Sequence, residues 1–345
     1  MASLGGGVND NVFLQNSEEE DDLFYRFKPY LDYEKSIFRP DNVFHITYEG
    51  DFYRFRDFSS EDTDNHYFTV SLDMNFREYY LKFLNRYVDK SDVDELFFTE
   101  RIQRNINEPL LLLGVDFNRL AVELELRSIS RRYEGNNYDI YNHDRNSFAG
   151  NVILHAFPKT DLFFQLDTMD FEYTESPRDG EYLQYLLGVR GRLTSKIEGT
   201  VSAGYQDREY SVGDQRFDNA VVETDVQFRF SEKVKLILKY VLTANESIIN
   251  EYNYYEIDRF SLDISMESYR GFLLETGVFL EKDTFPESVE NNRVDDFDHF
   301  YIASGYRFQK WLETSIRWEY FKRNSNYDRY DYEQNILTFF ATVTL

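Results

Sequence analysis

The chain of 345 residues has no cysteine, only 6 prolines and only 5 histidines. Without cysteine there is no disulfide and no thiolate metal site. No stretch approaches the roughly 18 consecutive apolar residues of a transmembrane helix. That absence leaves open a crossing by strands, whose side chains alternate. Bases are scarce as well: 38 Lys and Arg stand against 63 Asp and Glu, a net charge of −25 at pH 7. Phosphate contacts need clustered positive charge, so nucleic acid is not an expected partner. His45, His66, His143, His155 and His299 are scattered, with no His-x-x-x-His or His-Glu pair. Neither a zinc site nor a histidine-based hydrolase is expected, and no enzyme is expected, since no catalytic constellation is visible. No EF-hand spacing occurs. Gly5-Gly6-Gly7 opens a strand rather than a phosphate-cradling turn before a helix. Met1-Ala2-Ser3-Leu4 lacks the basic start and apolar core of a signal peptide, so the sequence reads as a mature form whose signal has been removed.

What is abundant is aromatic: 28 Tyr and 32 Phe, in a chain whose mean hydropathy is −0.59. Aromatic girdles around a polar interior produce that combination in membrane barrels. The final stretch shows the pattern most clearly. Leu312, Thr314, Ile316, Trp318 and Tyr320 fall on one face, and Glu313, Ser315, Arg317 and Glu319 on the other. After the polar Asn324-Ser325-Asn326-Tyr327-Asp328, alternation resumes. Leu337, Phe339, Ala341, Val343 and Leu345 are set against Thr338, Thr342 and Thr344, with Phe340 as an exception. A period of 2 sustained over such lengths indicates β-strands that are apolar on one side.

Turn signals recur at roughly 40-residue intervals, near Lys35, Arg77, Phe117, Pro158, Thr194, Ser231, Tyr269 and Gln309. That interval suits two membrane-spanning strands plus a loop. Longer acidic or Asn-rich segments lie between, such as Ser17 to Asp22, Ser59 to Asp64, Tyr133 to Asn137 and Phe285 to Asp298. Eight short turns interleaved with nine longer connections predict a single all-β domain over residues 1–345. Its form is a transmembrane antiparallel β-barrel of about eighteen strands. Both termini would lie beside the short turns, which is the periplasmic side of such barrels. A soluble sandwich also alternates, but its strands are shorter than these runs.

Several segments resemble the outer-membrane β-barrel porins that accompany exopolysaccharide synthesis and export loci. They are Gly7-Val8-Asn9-Asp10-Asn11-Val12-Phe13, Phe157-Pro158-Lys159-Thr160, and Gly204-Tyr205-Gln206-Asp207-Arg208-Glu209-Tyr210. Arg323-Asn324-Ser325-Asn326 with Tyr330-Asp331-Tyr332 is similar too. The resemblance runs over essentially the whole chain. It implies a barrel in the bacterial outer membrane and a role in polysaccharide secretion.

By parity, Arg190, Arg192, Arg229, Lys235, Lys239, Arg307 and Arg317 should face the lumen. So should Glu123, Glu125, Glu198, Glu223, Asp225, Glu275, Glu313 and Glu319. Opposed charges on a channel wall select polar solutes, whereas the plainer reading is cross-strand pairing in a hydrated wall. Arg190, Arg192, Lys235 and Arg307 are expected together at the short-turn mouth. The acidic loops read as solvated surface or as holders of divalent cations that bridge to lipopolysaccharide. No resident cofactor is expected. Three functions remain open: a pore for exopolysaccharide or polar solutes, served by a periplasmic export partner; a general diffusion porin; and a sheath docking a periplasmic or multihaem partner in its lumen.

Overall fold

The computed structural model describes residues 1–93, 101–135, 138–213, 216–247, 252–268, 270–286 and 292–344. Asn136, Asn137, Tyr269, residues 287–291 and Leu345, which figured in the sequence reading, lie outside the described residues. The strands in the first half are β1 Ala2–Asn9, β2 Asp22–Ser36, β3 Val43–Phe55, β4 Thr63–Phe76, β5 Tyr79–Val93, β6 Arg101–Asp116, β7 Leu120–Tyr133, β8 His143–Phe157 and β9 Thr160–Tyr173. The second half continues with β10 Gly180–Arg192, β11 Ile197–Tyr210, β12 Phe217–Ser231, β13 Val234–Glu246, β14 Tyr254–Glu267, β15 Phe272–Thr284, β16 Val294–Gln309, β17 Leu312–Ser325 and β18 Tyr332–Val343. No α-helix occurs among the described residues, only three single 3-10 turns in connections.

Each strand pairs antiparallel with the next. The sheet closes because β1 pairs with both β2 and β18, from Ala2↔Val343 to Asn9↔Ile336. Closure removes the two free edges that would otherwise expose unpaired backbone groups in hydrocarbon. The result is the eighteen-stranded antiparallel barrel that the turn spacing predicts. Strand and turn boundaries differ from the sequence reading mainly at the loop end. There β17 runs to Ser325, paired with Asp295 of β16, and β16 starts at Val294. Beyond the apolar band the outward face meets water. Hydropathy then stops reporting strand, although the backbone ladder continues.

The outward face behaves as lipid-facing wall. Ile316 is 48% exposed, Phe339 57% and Leu187 67%, with no polar neighbour required. Every short turn carries an exposed large apolar side chain, among them Phe76, Phe117, Phe157, Leu193, Phe230 and Trp311. These form a girdle at the level where such barrels meet the headgroups. Tyr48, Tyr87, Tyr205 and Trp318 sit outward near the opposite border of the band. Above them the outward positions become charged, as in the row Asp258, Lys282 and Asp296 across β14, β15 and β16. The chain ends lie at the short-turn end, where the Thr344 backbone N–H donates to the Trp311 carbonyl.

Candidate functional site

The lumen is where this sheet can do chemistry, because parity sends its charged side chains inward. Glu123, Glu125, Glu198, Glu223, Asp225, Glu275, Glu313 and Glu319 all occupy the inward parity, as do Arg190, Arg192, Arg229, Lys235, Lys239, Arg307 and Arg317. Most are paired across strands. Arg229 donates to Glu198 at 2.6 Å, Lys239 lies 3.2 Å from Asp225, and Arg307 lies 3.2 Å from Glu313, while Arg317 pairs along its own strand, 3.1 Å from Glu319. Phe340, the break in alternation, also faces inward, with the Arg26 guanidinium 5.8 Å from its ring centroid. Single-file pairing of this kind suits the plainer reading of a hydrated wall.

The turn end is hollow. One cavity of about 890 Å³ lies between β12 and β17, lined by Lys196, Arg229, Lys233, Lys235, Glu275, Arg307 and Glu313. A second, of about 550 Å³, continues along β15 to β18, β1 and β2, past Arg317, Phe321, Phe340, Ser3, Arg26 and Tyr53. The two abut, sharing Leu273, Glu275 and Glu313. Small inward residues, such as Ala303, Gly305 and Ser315, make the recess. The four bases expected together do not all meet. Lys235 and Arg307 line the cavity, joined by Arg229. Arg190 belongs to another group, 3.4 Å from Glu123 and 3.5 Å from Asp161. Strand number explains the difference: β10 faces β9 and β7 across a different sector from β13 and β16. Tyr80 donates to Glu123 in the same group at 2.6 Å, its ring lying across Gly114, where a Cβ would collide with it. Arg192 sits beside Glu198 in register at the end of β10.

The loop end is packed. The pairing of β13 with β12 stops at Leu242, whereas its pairing with β14 continues to Glu246↔Tyr254. The freed hairpin end crosses the mouth. Glu246 meets Arg208 of β11 and lies 2.8 Å from Arg145 of β8. Five strand spacings separate β8 from β13, about 24 Å along the wall. Such a contact is therefore made across the lumen. Arg178, in the β9–β10 connection, donates to the Ser247 carbonyl at 3.1 Å, and Tyr173 donates to the same oxygen at 3.0 Å. Burial pulls the pKa of Arg178 down from its ordinary value. One face of the hairpin packs Ala244 and Tyr254 onto Leu186, Phe217 and Val221 of the wall. The other packs Tyr255, Ile257 and Tyr252 against Phe285. Arg293 continues the roof, 4.8 Å from the Phe285 centroid and 3.7 Å from that of Tyr330. On the other flank Asn11 bridges the Gln15 and Glu333 carbonyls, at 2.8 Å each.

Sequence reasoning missed this hairpin. The available signs were Glu246 at an outward parity and the aromatic run Tyr252-Asn253-Tyr254-Tyr255 where other connections are acidic. The histidines are dispersed through the barrel. His66 bonds Tyr48 on the outer face, His143 is buried at the rim, His155 bonds Asp161, and His299 stacks on Phe321.

A closed barrel with an apolar exterior, girdled turns and a charged interior defines a membrane channel of the porin type. The chain belongs to the family described as "Putative beta-barrel porin 2", which matches residues 1–345. Its backbone is similar to that of OpdO from Pseudomonas aeruginosa, at 12% identity and a TM-score of 0.51, covering 100% of this chain and 97% of that one. OccK2 (OpdF) of the same organism is similar to the same degree, at 12% identity and 0.51, with 100% and 97% covered. The siderophore receptor PirA of P. aeruginosa aligns more loosely, at 8% identity and 0.44, covering 100% and 80%. No curated protein matches the sequence. Family membership makes the chain an outer-membrane channel.

Proposed function

We propose that the protein passes polar solutes through the outer membrane from a vestibule open at the turn end, and that the state described is shut at the loop end. The two abutting cavities carry this reading: they reach the turn-end mouth and are lined by paired charges and hydroxyls, which suits a hydrated solute. The turn end, with both termini, faces the periplasm in this proposal. Exopolysaccharide is the finer proposal for the solute. It is supported by the whole-chain resemblance and by aromatic rings set among charges along the second cavity, namely Tyr53, Phe321 and Phe340. The acidic loops would meet lipopolysaccharide, with divalent cations between the two sets of negative charge. A periplasmic export partner would dock at the turn end.

Planar-bilayer recording tests the shut pore. The wild type should show little conductance. Arg178→Ala combined with Tyr254→Ala should raise it severalfold by loosening the hairpin from the wall. Equal conductance in the two proteins would refute a mouth shut by the hairpin. Liposome swelling with oligosaccharides of increasing length then tests the solute: uptake that stops at monosaccharides would remove the polymer reading.

A further inference from the structure

Arg208 is held by the wall, independently of the hairpin that covers it. Its Nε donates to Gln206 Oε1 at 2.8 Å, and Gln206 Nε2 donates to Gln184 Oε1 at 2.6 Å. Its guanidinium lies 4.8 Å from the Tyr182 ring centroid and 5.7 Å from that of Phe171. Arg145 projects from β8 beside Phe171, its Cα partner on β9. Two guanidinium groups, an amide ladder and an aromatic floor are therefore assembled by β8 to β11 alone. What the hairpin adds is one carboxylate. Glu246 enters between the two bases, and the Arg208 and Glu246 side chains are both left only 3% exposed.

A guanidinium fork matches a carboxylate in shape and charge. Removing that carboxylate from two buried bases without replacement is strongly unfavourable. Loss of the Glu246 carboxylate alone would leave the bases in that situation, whereas departure of the whole hairpin admits water and solute to them; in both cases the solute group that reproduces these contacts is another carboxylate. We propose that Arg145 and Arg208 form a binding site for carboxylate-bearing solutes, and that Glu246 occupies it as an internal ligand in the shut state. This deepens the pore reading by naming a solute class, and rests on that reading only for how the solute arrives.

Saturation-transfer NMR of the full chain in detergent, with sodium acetate as probe and acetamide as its uncharged isostere, reads the site without needing conduction. Glu246→Ala should bind acetate with clear saturation, the wild type far more weakly, and acetamide should bind neither. Adding Arg208→Gln to Glu246→Ala should abolish the acetate signal. Heat-shifted mobility on gels reports whether each variant is folded. If Glu246→Ala does not fold, Glu246→Gln keeps the volume and a bond to Arg208 while lowering the competition, and it should also gain acetate binding. Acetate binding no stronger than wild type in the folded variant, or undiminished by Arg208→Gln, overturns the proposal. Acetate binding in barrels that stay electrically silent with Arg178→Ala and Tyr254→Ala overturns the pore reading and leaves the site standing. Conduction without acetate binding does the reverse.

Discussion

At the loop end, Arg293, Arg323 and Asp295 are 2%, 4% and 1% exposed, and the Asp295 carboxylate accepts hydrogen bonds from both arginines. At the turn end, Arg229 and Glu198 make a pair of the same chemistry at 54% and 37% exposure. Two ends of one sheet, with the same inward parity, thus hold their charges in opposite surroundings. The difference comes from what covers them. Loops and the β13–β14 hairpin lie over the first set, while the second faces the water of an open cavity. Ion pairs at the loop end therefore act as fasteners of a roof, and those at the turn end as a charged surface for whatever enters.

The largest expected effect separates the two ends directly. Asp295→Ala would remove the carboxylate that two buried guanidinium groups share and should cost about 3–5 kcal/mol. Glu198→Ala, at the exposed pair, should cost about 1 kcal/mol or less. Urea unfolding of the barrel refolded in lipid measures both, and equal losses would mean that the turn end is not hollow. A second prediction asks whether inside and outside are correctly told apart. Ile316→Arg places a charge in hydrocarbon and should cost about 2–4 kcal/mol. Arg317→Ser, one residue on and facing the lumen, should cost clearly less in the same assay. The smallest effect is electrical. Exposed charge is screened over about 8 Å at physiological salt, so bases on the cavity wall should outweigh the acids of distant loops. In an opened barrel, Arg229→Gln with Lys235→Gln should move the reversal potential toward cation selectivity. Neutralising Glu18, Glu19 and Glu20 should hardly move it. Arg190→Gln, in the other sector, should shift it less than the Arg229 and Lys235 pair. A shift that follows Arg190 alone would overturn the grouping of bases around one cavity.

The wall was legible because membrane and lumen impose a period of two on every strand. Leu337, Phe339 and Val343 were placed outward, and they are 45%, 57% and 36% exposed. Strand ends above the apolar band were less legible, since Asp296 and Asn324 face water and obey no hydropathy rule. The interior was legible only as parity. Which bases share a cavity depends on how far around the circumference each strand lies, so Arg190 could not be separated from Lys235 by looking along the chain. The hairpin is harder still. Glu246 meets Arg208 and Arg145 across 38 and 101 residues of sequence by leaving the sheet, and alternation carries no information about a departure from the sheet.

Closure of the barrel bears on how it assembles. Neighbouring strands meet over short separations, as in Tyr48 with His66, 18 residues apart, whereas the seam joins Ser3 to Thr342, 339 residues apart. Loop-closure entropy rises by about 0.6 kcal/mol for each doubling of length, so the seam is roughly 2–3 kcal/mol harder to form from an open chain than a hairpin. Hairpins should accordingly form first and the seam last. The strand that must close it is β1, at 8 residues the shortest in the wall and carrying Gly5, Gly6 and Gly7 in a row. Time spent as an unclosed sheet, with β18 as a bare edge, should therefore be governed by those few residues. Gly6→Val, on the outward face of β1, offers a direct way to change the closing rate while leaving every hairpin but β1–β2 alone.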